Sequence, residues 1–126
     1  MKQSLGFLDK TEPFIIYGPE ETRTFCYITD VVRAMRLLTD APATNNQPIE
    51  TVHIGNIDEI AMLELAKKMF KVAGWIPDKL EFKPSPAGSV KRRLADISKI
   101  QKLVGWTPEV SLEDGLRRTF EWYKRQ

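Results

Sequence analysis

The chain has 126 residues, 42% hydrophobic and 29% charged, and carries a formal net charge of +2. That length suits one domain, and basic residues scattered apart from Lys91-Arg92-Arg93 and the last helix argue against nucleic acid as a partner. The single cysteine, Cys26, forbids an internal disulfide and fits a reducing compartment. No apolar run reaches membrane-span length and no signal-peptide core follows Met1-Lys2-Gln3, so no membrane partner and a cytoplasmic location are expected.

Met1 to Glu12 is polar, with only Leu5, Phe7 and Leu8 as large apolar residues, and reads as a turn of helix or a frayed end. Phe14-Ile15-Ile16-Tyr17, β-branched and aromatic, predicts a strand that Gly18-Pro19 breaks. Thr22 to Ile28 alternates as a second strand, and Thr29-Asp30 ends it, with Asp30 placed to cap a helix. Val31, Ala34, Met35 and Leu38 form that helix's apolar face.

Arg23 stands where the loop becomes the second strand. Its planar fork suits the paired, charge-assisted hydrogen bonds that a diphosphate accepts. The plainer reading is a surface arginine paired with Glu20 or Glu21.

Asp40 to Pro48 reads as a loop. Ile49 to Ile54 alternates as a strand that Gly55-Asn56 ends. Ile60 to Ala73 has helical periodicity, with Met62, Leu65, Ala66, Met69 and Ala73 on one face and Gly74 as the stop. Leu80 to Lys83 is a short strand closed by Pro84 and Pro86, and Ser85 to Arg93 an increasingly basic loop. Asp96 can cap a short helix that Gly105 ends. Ser111 with Asp114 is a capping-box variant opening a last helix that turns Leu112, Leu116, Thr119, Phe120 and Tyr123 inward. Strands and helices alternate, which predicts an α/β fold: a small mixed sheet with flanking helices, one face of which needs a partner.

Several stretches resemble, in order, the extended short-chain dehydrogenases: the NAD-dependent nucleotide-sugar epimerases, dehydratases and decarboxylases. Tyr17, Gly18, Arg23, Phe25, Tyr27, Asp30 and Ala34 match a Y-G-x-G-x-Q-x-R-D-F-x-Y-V-x-D-x-x-x-A segment, with a turn one residue short and Thr24 in place of Asp or Ser. Val52-His53-Ile54-Gly55-Asn56 is similar to an N-I-G-N strand, and Leu63-Glu64-Leu65-Ala66 to the helix after it, with Ala61 at the usual Ser or Thr cap. Gly88 to Lys99 resembles G-D-x-x-R-x-x-x-D-x-x-K. Leu103 to Pro108 resembles L-G-W-x-P, and Leu112 to Leu116 resembles L-E-x-G-L. The resemblance runs from about Pro13 to the C-terminus.

It implies the C-terminal substrate domain of such an enzyme, residues 1–126 forming one substrate-binding domain without its Rossmann half. It further implies a nucleotide sugar, UDP- or dTDP-linked, as partner. Its diphosphate would be held by Arg23 and by a second arginine, Arg92 or Arg93, with Arg93 favoured and Tyr17 alongside. No two glycines lie closer than Gly105 and Gly115, so no G-x-x-G-x-x-G turn for NAD exists, and no Tyr has Lys four residues on. No catalytic, cofactor-binding or metal-binding residue is therefore expected in this chain, NAD being expected for the complete enzyme. The isolated chain is expected to be inactive and to associate with the missing N-terminal half or with itself. The other reading is a stand-alone, non-catalytic binding or regulatory module.

Overall fold

A computed structural model describes residues 12–41 and 51–125. Among the described residues nine elements follow one another: β1 (Phe14–Tyr17), β2 (Thr22–Thr24), α1 (Ile28–Asp40), β3 (Glu59–Ala61), α2 (Met62–Ala73), β4 (Leu80–Lys83), β5 (Arg92–Arg93), α3 (Ser98–Val104) and α4 (Leu112–Lys124). The α/β arrangement holds, but the strands form two sheets. β1 pairs in parallel with β4, Phe14 opposite Leu80 and Tyr17 opposite Lys83. β2 is the centre of a second sheet, antiparallel to β3 and parallel to β5.

Two apolar clusters lie behind these sheets. Ile16 on β1 packs with Ala66 and Phe70 of α2, and Phe14, Phe70 and Trp75 meet edge to face. The second cluster joins Ala34 of α1 to Ile97, Ile100 and Trp106, with Leu37, Leu38, Val52 and Ile54 packed on it.

Several local expectations need correction. β2 stops at Thr24, because Phe25 to Tyr27 leaves the ladder and α1 begins at Ile28. Asp30 does not cap α1, whose N-cap is Tyr27 with no side-chain bond. Its carboxylate is instead spent on distant backbone: Oδ2 accepts from Glu109 N at 3.0 Å and Val110 N at 2.9 Å. Met35 is exposed, because α1 turns Ala34, Leu37 and Leu38 to the core.

Residues 51–54 form no strand, although Val52 and Ile54 still reach the core; Ile49 and Glu50 lie outside the described residues. So do residues 1–11 and the 42–48 part of the expected loop. Ile60 and Ala61 belong to β3, so α2 starts at Met62. Arg92 and Arg93, read as loop, form β5.

The helix ends follow local chemistry. α2 stops at Gly74, which takes φ +62°, a left-handed conformation that costs a side-chain-bearing residue about 1 kcal/mol. Ser111 Oγ accepts from Asp114 N at 3.2 Å at the start of α4. Asp96 Oδ1 accepts from Ser98 N at 2.9 Å, although the α3 N-cap is Ile97. α2 has Ala61 at its N-cap, and its first N–H groups find main-chain acceptors instead. Met62 N donates to Glu21 O at 2.9 Å and Leu63 N to Pro19 O at 3.0 Å, which ties α2 to the Gly18–Glu21 turn.

Candidate functional site

The site is built on β2 and its two neighbours. In the parallel pairing of β2 with β5, Thr22 is opposite Arg92 and Arg23 opposite Arg93. Residues in register project to the same side of a pleated sheet, and adjacent residues to opposite sides. Arg23 and Arg93 therefore share one face, together with Ile60 of β3, while Thr22, Arg92 and Glu59 share the other.

On that second face Arg92 pairs with Glu59. Its Nε donates to Glu59 Oε1 at 2.8 Å, and its Nη2 to Oε2 at 2.8 Å. Thr22 Oγ1 donates to the same carboxylate. The Arg92 and Thr22 hydrogen bonds hold the Glu59 carboxyl well below its ordinary value, at about 2.

On the first face Arg23 is mostly covered, its side chain 17% exposed. Nη1 donates to Thr22 O at 2.7 Å and, more weakly, to Lys91 O at 3.4 Å. Nη2 donates to Glu21 Oε2 at 2.6 Å and Ser89 Oγ at 3.2 Å. Arg93 is exposed. Beside this face a cleft of about 310 Å³ is lined by Gly18, Pro19, Glu20, Glu21 and Lys91.

Gly18 shapes the cleft. It takes φ +55°, and a Cβ there would fall on Ser85 Oγ and lie 2.7 Å from Glu21 Cδ. Tyr17 ends β1 just before this turn, half exposed, on the other sheet from Arg23.

The register thus puts Arg23 and Arg93 on one face and Arg92 on the other, with Tyr17 on the other sheet. Glu21 as a partner of Arg23 was legible as one of two adjacent acids. Ser89, Lys91 and Glu59 were not, since they reach β2 only through pairings with distant strands.

A second, apolar cavity of about 290 Å³ lies between the β2–α1 connection, α2 and α4, lined among others by Phe25, Cys26, Leu65, Met69 and Leu116. Burial raises the Cys26 thiol above its ordinary range, consistent with a packing role. Among the described residues no group of His, Cys, Asp and Glu is arranged to hold a metal, and no helix is long and apolar enough to cross a membrane.

Arg23 and Arg93 thus share one face of a small sheet in an α/β domain, beside a cleft to which Glu21 and Lys91 contribute. The chain belongs to the NAD-dependent epimerase/dehydratase family: the model of GDP-mannose 4,6 dehydratase matches residues 6–119. It is 34% identical over 110 residues to UDP-glucuronic acid decarboxylase 1 of Arabidopsis thaliana, covering 86% of this chain and 24% of that protein. Among solved structures it resembles UDP-glucose 4-epimerase of Thermotoga maritima, determined with UDP-glucose (30% identity, TM-score 0.79, 90% of this chain and 35% of that one). It is equally similar to UDP-glucuronic acid 4-epimerase of Bacillus cereus, determined with UDP-glucuronic acid and NAD (30% identity, TM-score 0.79, 90% and 36%). The chain therefore spans about a quarter to a third of the length of these proteins.

The residues present do not fit NAD. The seven glycines are too far apart for a pyrophosphate turn, and the first N–H groups of α2 are already taken by the Glu21 and Pro19 carbonyls.

Proposed function

We propose that this chain is the nucleotide-sugar-binding, C-terminal portion of an NAD-dependent epimerase, dehydratase or decarboxylase. It grips the substrate diphosphate while the rest of such an enzyme carries NAD and performs hydride and proton transfer. The observation that supports this best is the register of Arg23 with Arg93, which puts both residues on the sheet face whose neighbours Glu21 and Lys91 line the cleft. A diphosphate carries about two negative charges, and two forks can divide its oxygens between them. Arg93 is the favoured second contact because Arg92 is committed to Glu59 on the opposite face. Tyr17 stands at the edge of the turn, where it can border the nucleotide or the sugar.

The test joins this chain to a competent N-terminal half and titrates a UDP-sugar and a dTDP-sugar. Arg23→Gln and Arg93→Gln should each weaken binding about tenfold to a hundredfold, less at high salt, and Arg92→Gln should not. Parent-like binding by both Arg23→Gln and Arg93→Gln overturns the clamp. Tight binding of a nucleotide sugar by the 126-residue chain alone would favour a stand-alone binding module.

A further inference from the structure

Arg23 is not an open receptor. Two of its four acceptors, Thr22 O and Lys91 O, are main chain and are fixed where Thr22 N donates to Lys91 O at 2.9 Å. The other two, Glu21 Oε2 and Ser89 Oγ, are side chains, and one of them is an anion. Both pair on Nη2. A paired fork onto a phosphate uses one of the two Nη2 N–H groups with either Nη1 or Nε, so either mode competes with Glu21 or Ser89 for Nη2.

Glu21 has somewhere else to go. Ser89 Oγ donates to the same Oε2 at 3.0 Å, and Ser85 also hydrogen-bonds to this carboxylate; both bonds act with Arg23 to keep it ionised below the ordinary carboxylate range. The Glu21 side chain is 15% exposed, and it lines the cleft itself. A carboxylate left facing a bound diphosphate repels it, and one seated on Nη2 competes with it for the same donor.

We propose, resting on the reading of Arg23 as a diphosphate contact, that Glu21 sets the affinity of this site. It is an internal anion seated on the Arg23 guanidinium that an incoming diphosphate must displace, after which Ser85 and Ser89 retain it. The bound state thus exchanges one charged acceptor for another, and the affinity is the difference between them.

The experiment titrates inorganic pyrophosphate and UDP against this chain joined to a competent N-terminal half, and against its Glu21→Gln, Arg23→Gln and double variants. Glu21→Gln should tighten both ligands by about tenfold, and the gain should vanish in the double variant. Unchanged or weaker binding by Glu21→Gln, with Arg23→Gln still weakened, overturns the displacement and leaves the diphosphate reading standing. Parent-like binding by Arg23→Gln, or no saturable binding by any variant, overturns both. In the unsubstituted chain the Glu21 carboxylate carbon resonance should move on saturation with pyrophosphate. A resonance that stays fixed while ligand binds at Arg23 also overturns the displacement.

Discussion

Trp106 Nε1 donates to the backbone carbonyl of Asp30 at 3.0 Å, and both residues are buried. The Asp30 carboxylate meanwhile accepts from the amides of Glu109 and Val110, so one residue of α1 holds the segment between α3 and α4 at three points. Arg33, one turn on, closes the arrangement. It pairs with Glu109 at 3.1 Å, donates to Thr107 O and lies 5.9 Å over the Trp106 ring. Two motif residues 76 positions apart thus form one structural unit.

Asp30→Ala should be among the most damaging single substitutions in the chain. It strands two amide N–H groups at partly buried positions, each worth about 1–3 kcal/mol when left unpaired. Urea denaturation should show a loss of about 3 kcal/mol, and Trp106→Phe a smaller one of about 1 kcal/mol from the missing indole bond. Equal stability of Asp30→Ala and parent would contradict the assignment.

The Glu59 carboxyl should titrate at about 2 rather than at its ordinary 4.5. Because the folded-state value is the lower one, the contribution of the Glu59–Arg92 pair is present above the ordinary carboxylate range and is lost as pH falls towards about 2. Carboxylate NMR should find this midpoint, and Arg92→Gln should move it up. A Glu59 midpoint near 4.5 in the parent chain would show that the pair does not persist in solution.

Gly18→Ala and Gly74→Ala separate backbone strain from close packing. Both positions have positive φ, but a Cβ at Gly74 meets nothing, whereas one at Gly18 strikes Ser85 and Glu21. Gly74→Ala should cost about 1 kcal/mol. Gly18→Ala should cost more and also disturb Glu21 and Arg23, visible as shifted Arg23 side-chain resonances. Equal costs with no shift at Arg23 would refute the packing role of Gly18.

α1 carries Ile28, Val32 and Met35 on its outer side at spacing i, i+4 and i+7, exposed to 62%, 56% and 57%. Contiguous exposed apolar patches, unlike single exposed apolar residues, mark association sites. The isolated chain should bind a hydrophobic dye and sediment with concentration dependence, and Ile28→Ser with Val32→Thr should reduce both. A clean monomer without dye binding would show that the stripe is simply tolerated in water.

What the sequence made legible was local. β1 ends at Tyr17, α2 at Gly74 and α3 at Gly105, and Ser111 opens α4, because each boundary is set by the residue standing on it. β3 and β5 escaped because strands of three and two residues carry no readable period, and they exist only through pairing with β2. Asp30 looked like a helix cap for a similar reason: a first-turn carboxylate is indistinguishable from one directed at a loop almost 80 residues away. Arg23 was legible as a candidate and the resemblance favoured Arg93 over Arg92, but the physical basis of that preference was not legible. It depends on which of two adjacent residues faces Arg23, and a register shift of one residue would reverse it.

The parallel pairing of β2 with β5 also bears on synthesis. Arg23 emerges from the ribosome seventy residues before its partner Arg93, and β1 likewise waits for β4. At roughly 5–20 residues per second β1 waits on the order of ten seconds for β4, and β2, which can pair first with β3, waits as long for β5. During that interval Phe14 to Tyr17 is an apolar edge without its β4 partner, and the acid beside Arg23 is the nearest counter-ion the nascent segment has. The arginine face is therefore completed only when β5 returns to β2, seventy residues after β2 is made.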